Sequence, residues 1–161
     1  YNKDDKMIKK TRLLATALLC ALALTQSVSF AAGERANKAE AEAMVAKGVA
    51  AVKAKGDGAY VELTAPSKTY TDRDLYLVVY DITGKCLAHG QNPKQVGKDL
   101  INLKDPDGKE FIKERVELAS SKGKFWQDYK FTDPLTKTVQ AKQAYCEKVG
   151  NVIVCGGIYK L

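Results

Sequence analysis

The chain has 161 residues, of which 45% are hydrophobic and 28% charged, with 26 Lys and Arg against 19 Asp and Glu for a net charge of +7. That is one domain's worth of chain. No stretch interleaves aromatics with clustered Lys and Arg, which excludes the pattern of a nucleic-acid groove and leaves the lysines as a solvated surface.

Residues 1–6 precede Met7 and read as lying upstream of the translation start. From Met7 the order is that of a secretory signal peptide. Lys9, Lys10 and Arg12 form a basic patch, Leu13 to Leu24 an apolar run, and Ser29-Phe30-Ala31 a small-x-small ending. Signal peptide 7–31, cleaved after Ala31, and a mature periplasmic or secreted domain 32–161 are the expectation. The apolar run of about 12 residues is short of the roughly 20 that a spanning helix needs, which disfavours a retained anchor. Cys20 follows Leu19, where a lipoprotein signal wants a small residue, so it counts as part of the run. Setting the signal and the residues before it aside removes five basic and two acidic residues and lowers the charge from +7 to +4.

Residues 34–55 read as one long helix rich in Ala, Glu and Lys. Ala39, Ala43, Ala46, Val49 and Ala50 form a shallow apolar stripe, and Gly56-Asp57-Gly58 ends it. Small residues on the stripe predict close packing against a sheet. The core spans 59–161 and includes a turn-rich stretch, TAPSKTYTDRD, from Thr64. LYLVVYDI, Leu75 to Ile82, reads as a strand buried on both faces. A turn at 81–85 leads into a returning strand, Cys86 to Gly90. A loop follows, and residues 109–121 form a second helix with Ile112, Val116 and Ala119 inward and Gly123 as its stop. Three further strands cover 125–131, 138–149 and 151–160. This order predicts an α+β domain with an antiparallel sheet.

Cys86, Cys146 and Cys155 remain after the signal. Counting outward from a turn at Gly150-Asn151 sets Val149 opposite Val152 and Cys146 opposite Cys155, at a non-hydrogen-bonded pair. Side chains there come within disulfide reach. In an oxidising compartment a Cys146–Cys155 disulfide is predicted, ahead of two buried thiols or a metal pair lacking its other ligands. Its short loop implies a stabilisation of roughly 2–3 kcal/mol.

No catalytic set is visible, and neither a cofactor nor a metal is expected. His89 is the single histidine, and on a regular strand Cys86 and His89 would face opposite sides. Asp105-Pro106-Asp107-Gly108 lacks the late glutamate of a calcium loop and reads as a turn and helix cap. Gly156-Gly157 marks close backbone approach. Tyr76, Val78 and Tyr80 share one strand face; Gln140, Lys142, Ala144 and Cys146 share another. A lysine between apolar neighbours is costly to bury unless it meets an anion. Lys142 therefore either pairs a small carboxylate, with phenols orienting it, or snorkels out at an edge; spacing leaves both open.

Longer motifs go further. YD-x-x-G at Tyr80 to Gly84, AHG-x-NP at Ala88 to Pro93, VGKDL at Val96 to Leu100 and DPDGK at Asp105 to Lys109 occur in order. W-x-DYK at Trp126 to Lys130, K-x-x-Y at Lys142 to Tyr145 and GIYK at Gly157 to Lys160 follow. Together they resemble the single Cache domain, type 2, a PAS-like extracytoplasmic sensor domain, over nearly all of the mature chain. The resemblance implies a long N-terminal helix on one face of a five-stranded antiparallel sheet, with a helix-and-loop cap over a ligand pocket on the other. It implies binding of a short organic acid such as acetate, propionate, pyruvate or lactate, without catalysis. By matching motif, the pocket residues would be Tyr80, His89, Trp126, Tyr129, Lys130, Lys142 and Tyr145. Lys142 is the first choice for the carboxylate, and strand alternation puts Tyr145 on the opposite face from it unless a bulge intervenes.

Phe131 and Asp133 depart from the family pattern, as do Cys146 and Cys155. With no second hydrophobic segment before Leu161, the expectation is a free periplasmic binding protein that presents its acid to a membrane sensor or transporter. A ligand-free interaction module regulating a membrane kinase or envelope protein is the second reading. A redox protein using Cys146, Cys155 and Cys86 is the third.

Overall fold

The computed structural model describes residues 35–160, so the signal-peptide reading of 7–31 lies outside the described residues. Helix α1 spans Lys38–Lys55 and begins four residues later than the composition suggests, because Asn37 is a true cap. Its side-chain oxygen accepts from the Glu40 N–H, and the Glu40 carboxylate accepts from the Asn37 N–H. Just upstream, Asp74 holds the lead-in: its carboxylate accepts from the Ala36 N–H at 2.8 Å and from the Tyr159 N–H at 3.1 Å.

The buried face of α1 is Ala41, Val45, Gly48, Val49 and Val52. Of the expected stripe Val49 alone is buried; Ala39, Ala43, Ala46 and Ala50 face solvent. The reason is area. A branched valine removes more apolar surface from water than an alanine methyl, at about 25 cal/mol per Å², so the helix turns its valines inward. Gly48 sets how near it comes, since a Cβ there would lie 2.6 Å from Leu77 Cδ1.

A short helix α2, Gly58–Leu63, follows. It lies between the end of the long helix pattern and the turn-rich stretch that begins at Thr64, and its Ala59 and Leu63 are fully buried. The strands are β1 Thr71–Asp72, β2 Leu75–Asp81, β3 Cys86–His89, β4 Lys124–Thr132, β5 Val139–Val149 and β6 Val152–Tyr159. Helix α3, Phe111–Lys122, precedes β4. All pairings are antiparallel, in the order β3-β2-β6-β5-β4, with the two-residue β1 adding a sixth strand against β2. The expected α+β architecture is therefore present. Six of the seven residues of β2 are buried because α1 covers one face of the sheet and α3 with its preceding loop the other.

Cys146 and Cys155 are register partners on β5 and β6 and form a disulfide, with Cα atoms 4.2 Å apart. Both are buried. The Asp105–Gly108 turn caps nothing. The Asp105 carboxylate accepts N–H bonds from Asp107, Lys109 and Lys130, pinning the loop to β4, while α3 starts at Phe111 without a side-chain cap. Within α3, Arg115 is buried, whereas Val116 is half-buried.

Gly48→Ala tests the helix–sheet distance. Alanine favours a helix over glycine by about 1 kcal/mol, but overpacking a filled core costs about 1–3 kcal/mol. Urea denaturation should show a net loss of about 1 kcal/mol, and a more stable variant would contradict the close packing.

Candidate functional site

The face of the sheet beneath α3 carries the site. Alternation sends Tyr76, Val78 and Tyr80 of β2 there, with Gly157 and Tyr159 of β6, Lys142 and Ala144 of β5, and Gln127, Tyr129 and Phe131 of β4. Ala144 and Gly157 are register partners, so the middle of this face is a shallow trough. The Lys142 chain lies in it: a Cβ at Gly157 would collide with Lys142 Cε. Gly156 instead faces α1, where a Cβ would come to 3.0 Å from Val45 Cγ2. The adjacent glycines thus serve opposite faces of the sheet.

Lys142 is 2% exposed. Its Nζ donates to the Tyr76 hydroxyl at 2.8 Å and to the Tyr159 hydroxyl at 3.1 Å, and stands 4.0 and 4.5 Å from their ring centroids. Tyr159 in turn donates to the Thr132 carbonyl at 2.7 Å. Among the described residues no carboxylate pairs with this ammonium at hydrogen-bond distance. Desolvation pushes its pKa well below the ordinary lysine value and Arg115 adds to the shift, against weaker opposition from Asp74 and Asp133.

His89 stacks on Tyr76, with ring centroids 5.4 Å apart. Its Nδ1 accepts the N–H groups of Gln91 at 3.2 Å and Asn92 at 3.0 Å. An accepting Nδ1 carries no proton, so the neutral ring holds its hydrogen on Nε2 and offers that as a donor. Burial, with Lys142 nearby, holds the pKa down to about 4.

The register of β2 and β3 shifts between Val79 and Tyr80, so that Ala88 pairs with Val79 but Cys86 with Tyr80. This bulge overturns the expectation that Cys86 and His89 face opposite sides; both lie on the site face. They form no reactive couple. Burial raises the Cys86 thiol to about 12, and Sγ donates to the Ala88 carbonyl at 3.5 Å.

Rings of Tyr76, Tyr80, His89, Phe111, Tyr129 and Phe131 enclose a cavity of about 20 Å³, closed by Val78 and by Gln95, Leu100 and Leu103 of the loop before α3. Of the residues expected at the pocket, Tyr80, His89 and Tyr129 line it and Lys142 underlies it through Tyr76. Trp126 and Tyr145 do not. They pack together on the α1 face, centroids 5.3 Å apart, where Trp126 Nε1 donates to Glu42 and the Tyr145 hydroxyl to Glu147. Lys130 is exposed and pairs with Asp107 at 2.8 Å. Strand alternation alone separates these from Tyr129. Tyr159 was missed, although the count that paired Cys146 with Cys155 also pairs Lys142 with Tyr159. Phe111 and Arg115 had no such signal, because they come from α3.

The family model for Single Cache domain 2 matches residues 28–160. The chain is 31% identical over 90 residues to the methyl-accepting chemotaxis protein McpP of Pseudomonas putida, covering 55% of this chain and 16% of that much longer protein. Among solved structures, a methyl-accepting chemotaxis protein from Vibrio parahaemolyticus superposes with a TM-score of 0.63 at 27% identity, over 76% of this chain and 87% of its own. A Cache chemosensory domain studied for carboxylic acid recognition superposes with a TM-score of 0.59 at 24% identity, over 71% and 83%.

The histidine geometry fixes a pH dependence. Below about pH 6.5 the unfolded chain protonates His89 while the folded chain resists down to about pH 4, so its contribution is full above 6.5 and is lost as pH falls. By pH 5 this amounts to about 2 kcal/mol. Urea denaturation at pH 7.5 and pH 5 should show that loss in the parent protein and much less of it in His89→Gln; an equal loss in both would refute the assignment.

Proposed function

The chain belongs to the Single Cache domain 2 family, and from that premise we propose that it is an extracytoplasmic sensor-type domain binding a short organic acid, with the carboxylate held against Lys142. The observation that carries this reading is an ammonium buried to 2% exposure and held by two phenols alone. Burying a cation without a counter-charge is costly, and packed apolar residues would serve stability better. A carboxylate arriving beside Tyr76 and Tyr159 supplies that counter-charge and raises the lysine pKa, so binding draws in a proton. His89 Nε2–H and the phenols of Tyr80 and Tyr129 supply further donors, while Phe111, Phe131, Leu100 and Leu103 supply apolar wall.

The cavity of about 20 Å³ holds roughly one water. Admitting even a two-carbon acid requires the loop carrying Leu100 and Leu103 to move outward, which favours small ligands over large ones. A Cache domain of the same fold, studied for carboxylic acid recognition, supports the ligand class. The signal-peptide pattern supports a periplasmic location. A membrane sensor or transporter is the partner such a domain would inform.

Isothermal titration with acetate, propionate, pyruvate and lactate tests this. We expect binding to the parent protein with a heat that varies with the buffer's ionisation enthalpy, and at least about 100-fold weaker binding by Lys142→Met. The same variant should be as stable as the parent or more so. A folded parent protein that binds none of these acids would sink the reading. It would turn attention to a protein partner at the apolar surface around Val61, which is 81% exposed, and Val96.

A further inference from the structure

Two buried carboxylates, Asp74 and Asp133, lie near enough to Lys142 to favour its charged form, yet neither bonds it. Both are held by Arg35, in the lead-in to α1. Arg35 Nη2 donates to the Asp133 carboxylate, and Nη1 lies 3.7 Å from Asp74 without a hydrogen bond of its own. Its guanidinium carbon stands 5.7 Å from the ring centroid of Tyr159, whose hydroxyl accepts from Lys142. Two cations thus approach one tyrosine and share one pair of anions.

The arginine holds these anions for reasons of charge and shape. Its fork presents separate nitrogens to two carboxylates and stays charged at every accessible pH, whereas a desolvated ammonium gives up its proton. Against desolvation, the bond from Arg35 keeps the Asp133 carboxyl below its ordinary range, so it is an anion at neutral pH. Asp74 is tied by backbone on both oxygens, through the N–H groups of Ala36 and Tyr159. Asp133 is the looser of the two. Backbone holds one of its oxygens, through the Leu135 N–H at 2.8 Å, and the other meets Arg35. It follows Thr132, whose carbonyl takes the Tyr159 hydroxyl, and it stands where the sequence departs from the family pattern.

We propose that Arg35 is a positioning residue of the acid site: by holding Asp74 and Asp133 it keeps both carboxylates off Lys142, so that the lysine's counter-charge has to come from the ligand. This rests on the reading of Lys142 as the acid anchor. With Arg35 gone, Asp133 is a buried anion in need of a cation, and Lys142 is a buried cation without a counter-charge. Pairing satisfies both. An acid then has to displace an internal partner before it binds. Arg35 is not among the residues that line the chamber, so its effect on binding passes through these carboxylates.

Isothermal titration with acetate and propionate, run in two buffers of different ionisation enthalpy, tests this in the parent, in Arg35→Gln and in Arg35→Gln with Asp133→Asn. Arg35→Gln should bind both acids about tenfold or more weaker and take up much less proton, because its Lys142 is already charged and paired. The double variant releases no competitor. It should return to within about threefold of the parent, with proton uptake restored, whereas a merely structural arginine predicts no recovery. If Arg35→Gln does not fold, the double variant decides alone: affinity within that limit supports the proposal, and a loss of about tenfold overturns it. Parent-like affinity in a folded Arg35→Gln protein, or a double variant no better than Arg35→Gln, would also overturn it and leave the acid site standing. A parent protein that binds neither acid would remove the acid site, and this proposal with it.

Discussion

Lys142 reaches across the sheet under a layer of rings, and much of the surrounding structure is shaped by that reach. The residue opposite Ala144 has to be glycine, because the lysine methylenes occupy the space a methyl at position 157 would fill. Tyr76 and Tyr159 have to present hydroxyls at its end, and Tyr159 is steadied at three points: its ring by the ammonium, its hydroxyl by Thr132, its N–H by Asp74. A polar demand made inside a hydrophobic layer is met by second partners. This accounts for two of the tyrosines on this face, Tyr76 and Tyr159.

The opposite face obeys a purely steric rule. Val45 and Gly48 of α1 press against Leu77 and Gly156, and the close approach is set by two missing side chains rather than by polar contacts. The sheet therefore joins two different environments only one residue thick. Gly156 and Gly157 sit at the join, each omitting a side chain for a different neighbour. An apolar helix contact on one side makes a rigid floor for a polar chamber on the other.

The sheet was legible in the sequence because β2, β5 and β6 carry strong strand patterns and a turn from which register could be counted. That count correctly located the disulfide, and it put Lys142 on the same side as Ala144. Motif matching took in residues that alternation sets apart: Trp126 and Tyr145 share the α1 face, whereas Tyr129 does not. The helical stripe misled because alanines at the right spacing carry too little area to compete with valines two positions away. The bulge that turns Cys86 and His89 to one side leaves no compositional mark. Arg115 was invisible for a simpler reason: an arginine on an amphipathic helix reads as surface until the facing strand is known to carry Gln127 and Tyr129.

Linking Cys146 to Cys155 has a mechanical consequence. The bond lies four residues from Lys142 along β5 and four from Tyr159 along β6, on strands that already share a tight turn. Sliding of one strand past the other is barred, so the lysine and its tyrosine travel as one body. The segment between β3 and α3 is held instead by backbone bonds to the β2–β3 turn and by the N–H bond that Asp105 accepts from Lys130 of β4, none of them covalent. The floor of the chamber is cross-linked and its roof is not.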